Sequence, residues 1–115
     1  MVKRPIHELV TDMLRCIEKI TRYTAGLSRD SILNDDKTVD ALIRNVELLG
    51  EIANQLGPEL WECYPTIPWR EMIGMRNKLI HDYVGVNIDL LLDTVEMHIP
   101  NLEVALNKVL SEISV

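Results

Sequence analysis

Apolar residues recur at every third or fourth position along almost the whole chain, and the predicted elements follow from that spacing. Ile6, Leu9, Val10, Met13, Leu14, Ile17 and Ile20 fall on one face of a helix over roughly 6–25. Gly26 and Ser28 interrupt it, and Ser28 is a candidate N-cap for a short turn or helical piece over 28–33. A second long helix is predicted from Asp36 to Leu56, with Asn34 or Asp35 as candidate caps. Along it Val39, Leu42, Val46, Leu49, Ala53 and Leu56 step by 3, 4, 3, 4, 3, the narrow seam of helices packed nearly antiparallel. Gly57-Pro58 ends it, because glycine suits the left-handed position after a helix and proline cannot continue the ladder. Residues 59–64 read as one short helical turn, and Pro65 and Pro68 bracket a loop.

The next helix is predicted over 68–83, with Pro68 near its first position, Glu71 in its first turn, and Met72, Ile73, Met75, Leu79 and Ile80 facing inward. Gly85 marks its end, and Asn87 suits the N-cap of a last helical region with Asp89 in its first turn. The buried stripe of that region runs from Ile88 through Leu91, Leu92, Val95, Ile99, Leu102, Leu106, Val109 and Leu110 to Ile113. Pro100 lies inside the stripe, so a kink or a break is expected there. No stretch alternates like a strand, and no repeat or linker is visible. The expected architecture is all-α, an up-and-down bundle of four to five main helices in a single domain spanning 1–115.

Composition narrows the function classes. At 115 residues and 47% apolar, the chain can bury a core without disulfides or a structural metal. Cys16 and Cys63 are too few and too far apart for a disulfide framework or a cysteine-rich zinc site, so both are expected as free thiols, Cys16 on or beside an apolar face. No apolar run reaches the ~20 residues of a membrane helix, and the start of the chain meets Glu8 where a signal peptide would be apolar. A soluble cytoplasmic protein is expected. The net charge of −6 argues against sequence-independent nucleic-acid binding through bulk charge, and no DNA partner is expected. A local basic site remains compatible with it.

Several familiar constellations fail on spacing. His7-Glu8 lacks the second histidine of a His-Glu-x-x-His zinc site, and Glu96-Met97-His98 lacks the Glu-x-x-His spacing of di-iron bundles. Glu47 and Glu51 are one turn apart but have no histidine or further carboxylate paired with them, so no metal or other cofactor is expected. There is no glycine-rich phosphate loop and no Gly-x-Ser-x-Gly elbow. Trp61 and Trp69 flank the proline loop and read as packing anchors rather than base-stacking platforms.

One stretch remains, Arg76-Asn77-Lys78-Leu79-Ile80-His81-Asp82-Tyr83. On a helix Arg76 and Tyr83, seven apart, share a face, and Asn77 and His81 are neighbours on an adjacent strip. Between Trp69 and Tyr83 Arg70, Arg76 and Lys78 oppose only Glu71 and Asp82, so this helix is a basic island on an acidic chain. Structural explanations also exist. Arg76 could pair with Glu47 or Glu51, His81 could serve the helix macrodipole, and Tyr83 could be a core residue.

Arg76-x4-His81-x-Tyr83 resembles the motif of HepT-like ribonuclease toxins in the HEPN superfamily. Tyr23-Thr24-Ala25-Gly26-Leu27, Arg44-Asn45-Val46-Glu47-Leu48-Leu49-Gly50-Glu51 and Tyr64-Pro65-x-Ile67-Pro68-Trp69 are similar to that family as well, so the likeness covers nearly the whole chain. The resemblance implies a homodimeric HEPN-type bundle and a metal-independent endoribonuclease acting on cellular RNA, tRNA or mRNA. It implies a toxin–antitoxin pair in which a minimal nucleotidyltransferase antitoxin inactivates the toxin by AMPylation. Carried over, Arg76 and His81 are the catalytic pair, Asn77 supports them, and Tyr83 accepts AMP.

The chemistry is consistent with those residue types. Metal-free RNA cleavage needs a base for the 2′-hydroxyl, an acid for the leaving 5′-oxygen and a cation for the charge on phosphorus. A histidine serves as acid or base near neutrality, with an ordinary pKa of ~6.5. Arginine stays charged and fits phosphate oxygens in a fork. One chain offers only one motif histidine, so a two-fold dimer is expected to complete the site. The alternative is a non-catalytic HEPN module that docks a nucleotidyltransferase or nucleotide on the same surface, and the plainest reading is a structural helical bundle.

Overall fold

Glycine and proline punctuate the chain where the helices of the computed structural model end. The structure describes residues 4–81 and 88–113, with the side chains of Ile80 and His81 outside that description. Helix α1 is Ile6–Thr24, α2 is Arg29–Leu33, α3 is Asp36–Leu56, α4 is Pro58–Cys63 and α5 is Trp69–His81. Helix α6, Ile88–Asp93, passes through a π-helical turn, Thr94–His98, into α7, Ile99–Ile113. The described residues contain no strand, and the fold is an all-α bundle of the HEPN type. Gly85, Asn87 and the last residues of the predicted 68–83 helix lie outside the described residues.

The predicted caps are met in part. Ser28 caps α2, its hydroxyl accepting the Ser31 backbone N–H at 3.1 Å. Asp35 occupies the N-cap of α3 without a capping hydrogen bond, and its carboxylate instead accepts the Thr38 hydroxyl at 2.8 Å. That hydrogen bond holds the Asp35 carboxyl below its ordinary pKa. Gly57 takes φ +84° between α3 and α4, a backbone conformation that side chains resist.

Helix α3 is the axis of the bundle. It packs along α1 on one side and most extensively along α5 on the other, while α7 closes against α1. Its predicted seam is largely buried: Leu42, Val46, Leu49, Ala53 and Leu56 belong to the same core as Leu9, Met13 and Ile17 of α1 and Leu106 and Val109 of α7, while Val39 is half-buried against it. Both tryptophans anchor the proline loop. The Trp61 indole donates to the Ala53 carbonyl at 2.9 Å, and the buried Trp69 indole donates to the Tyr64 carbonyl at 3.0 Å. Helix α4, which leads into this loop, is thus pinned to the last turn of α3.

Pro100 produces neither a sharp break nor a plain α-helix. The chain widens into the π turn just before it, and the Ile99 N–H bonds to the Thr94 carbonyl five residues back. A proline ring clashes with the carbonyl four residues earlier, here that of Glu96, which lies inside the widened turn. The stripe continues across it, with Val95, Ile99 and Leu102 all buried.

Two outcomes test this packing. Leu42→Ala removes a fully buried side chain at the centre of the bundle. It is expected to cost about 2–5 kcal/mol in urea or thermal unfolding. Cys63 is exposed and Cys16 buried, with burial raising the Cys16 thiol pKa. A thiol reagent is therefore expected to label Cys63 promptly and Cys16 only on unfolding.

Candidate active site

Helix α5 carries the motif, and its start is fixed before its end. The Trp69 N–H bonds to the Ile67 carbonyl at 2.9 Å and the Met72 N–H to the Pro68 carbonyl at 3.1 Å, so the first turn is closed directly after the proline. From there α5 runs along α3, with Leu79 in the core and Met72, Ile73 and Met75 packed against it at half burial. The two helices approach closely at Gly50. A Cβ at that position would collide with the Arg76 Cβ and with the Met72 carbonyl oxygen. The stem of Arg76 therefore rests directly on the backbone of α3.

That seat determines what the guanidinium can do. Arg76 Nη1 donates to Asn77 Oδ1 at 3.0 Å, and Nε is buried with no hydrogen-bond partner. Among the described residues Arg76 has no ion pair. Glu47, half-buried, is engaged by Arg44 at 3.8 Å instead. Pairing of Arg76 with Glu47 or Glu51 is thus not what the structure contains. A buried donor without an acceptor costs about 1–3 kcal/mol.

The structure brings Arg76 and Asn77 together and makes His81 the last residue of the same helix. Asn77 and His81 are thereby one turn apart along α5, on one strip of its surface. The His81 side chain, Asp82 and Tyr83 lie outside the described residues.

Beyond them, α6 is fastened to α2 by one arginine. Arg29 Nη1 reaches Asp93 at 3.0 Å and Glu96 at 3.4 Å, while Nη2 donates to the Asp89 carbonyl at 3.0 Å. Between α5 and the C-terminal helices lies a groove of about 500 Å³, floored by Val46 and Leu49 and walled by Met72, Met75, Leu90 and Leu102. Its lining is mostly apolar, with Glu71 and His98 as its ionisable members. Among the described residues no group of histidines, cysteines and carboxylates could hold a metal, and Glu47 with Glu51 forms no such set.

Two features escaped the sequence reading. Gly50 carried no assigned role, although a glycine in the middle of a long helix costs about 1 kcal/mol against alanine and so signals a close approach. The Arg29 cluster joins residues about sixty positions apart, and no local pattern announces such a contact.

The comparisons with known proteins agree with the motif. The family model described as Ribonuclease HepT-like matches residues 13–109. The chain is 38% identical to the "Probable ribonuclease HepT" of Thermococcus cleftensis over 89% of its own length and 93% of that protein's. Two proteins named "Putative RNase" are also similar. One, from Methanocaldococcus jannaschii, is 35% identical over 88% of this chain and 84% of its own length. The other, from Caldanaerobacter subterraneus, is 33% identical over 87% and 89%. No solved structure matches the chain significantly. No helix among the described residues is long and apolar enough to cross a membrane.

Proposed function

The chain belongs to the HepT-like ribonuclease family, and on that premise we propose that it is a metal-independent endoribonuclease whose site is completed by a second copy of itself. The observation that supports this most is Arg76. At the motif position, a guanidinium is seated on a helix backbone, free of carboxylates among the described residues, with one buried donor lacking an acceptor. An RNA phosphate is the anion that such a group fits.

In the proposed reaction the 2′-hydroxyl loses its proton to an imidazole, and the O2′–P bond forms while the P–O5′ bond breaks. A second proton donor then supplies the leaving 5′-oxygen. Arg76 stabilises the charge that builds on the phosphoryl oxygens, and Asn77 orients it through the 3.0 Å hydrogen bond. His81 serves as base or acid, and its counterpart from a two-fold partner supplies the opposite role. The apolar groove beside α5 and its half-buried methionines offer surface for that partner to cover.

The proposal extends to regulation. The protein is the toxin of a two-gene pair, and a minimal nucleotidyltransferase antitoxin attaches AMP to the Tyr83 hydroxyl. The sequence expectation of a helix reaching Tyr83 would put it on the strip of Arg76, and an AMP there would compete for the cation with its phosphate and fill the cleft with its adenosine.

Purified protein is expected to cut single-stranded RNA in the presence of a chelator. His81→Ala should lower that rate by about 10²–10⁴-fold with its helical circular dichroism unchanged. Chelator-sensitive cleavage, or an unchanged rate in His81→Ala, contradicts the proposal, and a non-catalytic docking module would show no cleavage at all. A variant held monomeric should be inactive, and an active monomer would refute the shared site. Tyr83→Phe should keep most of the activity and stay unmodified, by intact mass, after co-expression with the nucleotidyltransferase. AMP on that variant, or loss of its toxicity under the antitoxin, would remove Tyr83 from its role.

A further inference from the structure

Helix α5 is held in the bundle mainly from one side. It packs extensively along α3, while toward α6 and α7 it faces the apolar groove. Whatever sets its height above α3 therefore sets where the Arg76 guanidinium stands. The helices approach closely at Gly50, where a Cβ would meet the Arg76 Cβ and the Met72 carbonyl oxygen. Neither is the far end of a flexible side chain that could swing aside. An added methyl group at Gly50 has to lift α5 or twist it.

Gly74, on α5 itself, forms the contrast. A Cβ there would meet nothing within 4 Å, so its lack of a side chain is not required by any packing contact. Two mid-helix glycines thus sit within the same helix pair, and only one of them coincides with the motif arginine.

We propose that Gly50 is a positioning residue for Arg76: its bare backbone is the seat that lets α5 lie low enough to bury Arg76 Nε while the guanidinium tip reaches Asn77. The proposal rests on the ribonuclease reading for its consequence in RNA binding, but its structural part stands without it. Displacement of a catalytic cation by about 1 Å is expected to cost about 100-fold in rate. Side-chain volume at position 50 thereby becomes a control on the affinity of the site for phosphate.

The test follows the Arg76 Nε–H resonance by 15N-resolved NMR and RNA affinity in a His81→Ala background, where nothing is cut. In the unsubstituted protein Nε–H exchange should be at least ten-fold slower than in the exposed Arg15 guanidinium. Gly50→Ala should abolish that protection and weaken RNA binding as much as Arg76→Ala does. The double variant, Gly50→Ala with Arg76→Ala, should bind no more weakly than Arg76→Ala alone. Gly74→Ala should leave both readouts unchanged. Independent, multiplying losses in the double variant would make Gly50 a general packing residue and overturn the proposal. So would unprotected Nε–H in the unsubstituted protein, a measurement that stands even if Gly50→Ala fails to fold. Absence of RNA binding by the unsubstituted protein would instead sink the ribonuclease reading, with the NMR arm still deciding the role of Gly50.

Discussion

The contact between α3 and α5 at Gly50 is the constraint on which the rest of the site depends. Helix–helix distance is set by the side chains at the crossing, and here one helix contributes none. The indole of Trp61 on the Ala53 carbonyl and that of Trp69 on the Tyr64 carbonyl fix where α5 starts. The Gly50 contact then fixes how close it lies further along. Between them they leave the helix little freedom before it reaches Arg76, Asn77 and His81.

A buried arginine nitrogen without an acceptor is expensive, and among the described residues the other buried side-chain polar atoms are satisfied. Asn45, buried in the neighbouring seam, shows the ordinary solution: its amide donates to the Ala41 carbonyl at 2.8 Å. Arg76 departs from that rule at the motif position. It does so on a chain of net charge −6, where carboxylates are plentiful and Glu47 on α3 is engaged by Arg44. The acidic surface disfavours indiscriminate polyanion binding, while the local cation remains available for a phosphate that is placed correctly.

Much of the fold was legible along the chain, because helices announce themselves by period and are closed by glycine and proline. Helix α3 occupies its predicted span, and its six-residue seam is buried from Leu42 to Leu56, with Val39 at its start only half-buried. Pro100 was recognised as a disturbance but not its form, since a π turn is set by how the buried stripe on both sides keeps its register, a tertiary demand. Arg76 and Asn77 were legible as chemistry, and their mutual hydrogen bond follows from adjacency on α5. What no local pattern could supply was the partner of each: that Arg76 sits on Gly50, and that Arg29 reaches across the bundle to Asp89, Asp93 and Glu96.

The most direct measurement is a crystal structure of the protein with a short RNA whose 2′-hydroxyls are methylated, so that it binds without being cut. The account places a phosphate oxygen about 2.7–2.9 Å from a terminal nitrogen of the Arg76 guanidinium, with the Asn77 contact kept. An RNA bound elsewhere, with no phosphate oxygen on the Arg76 guanidinium, would contradict it.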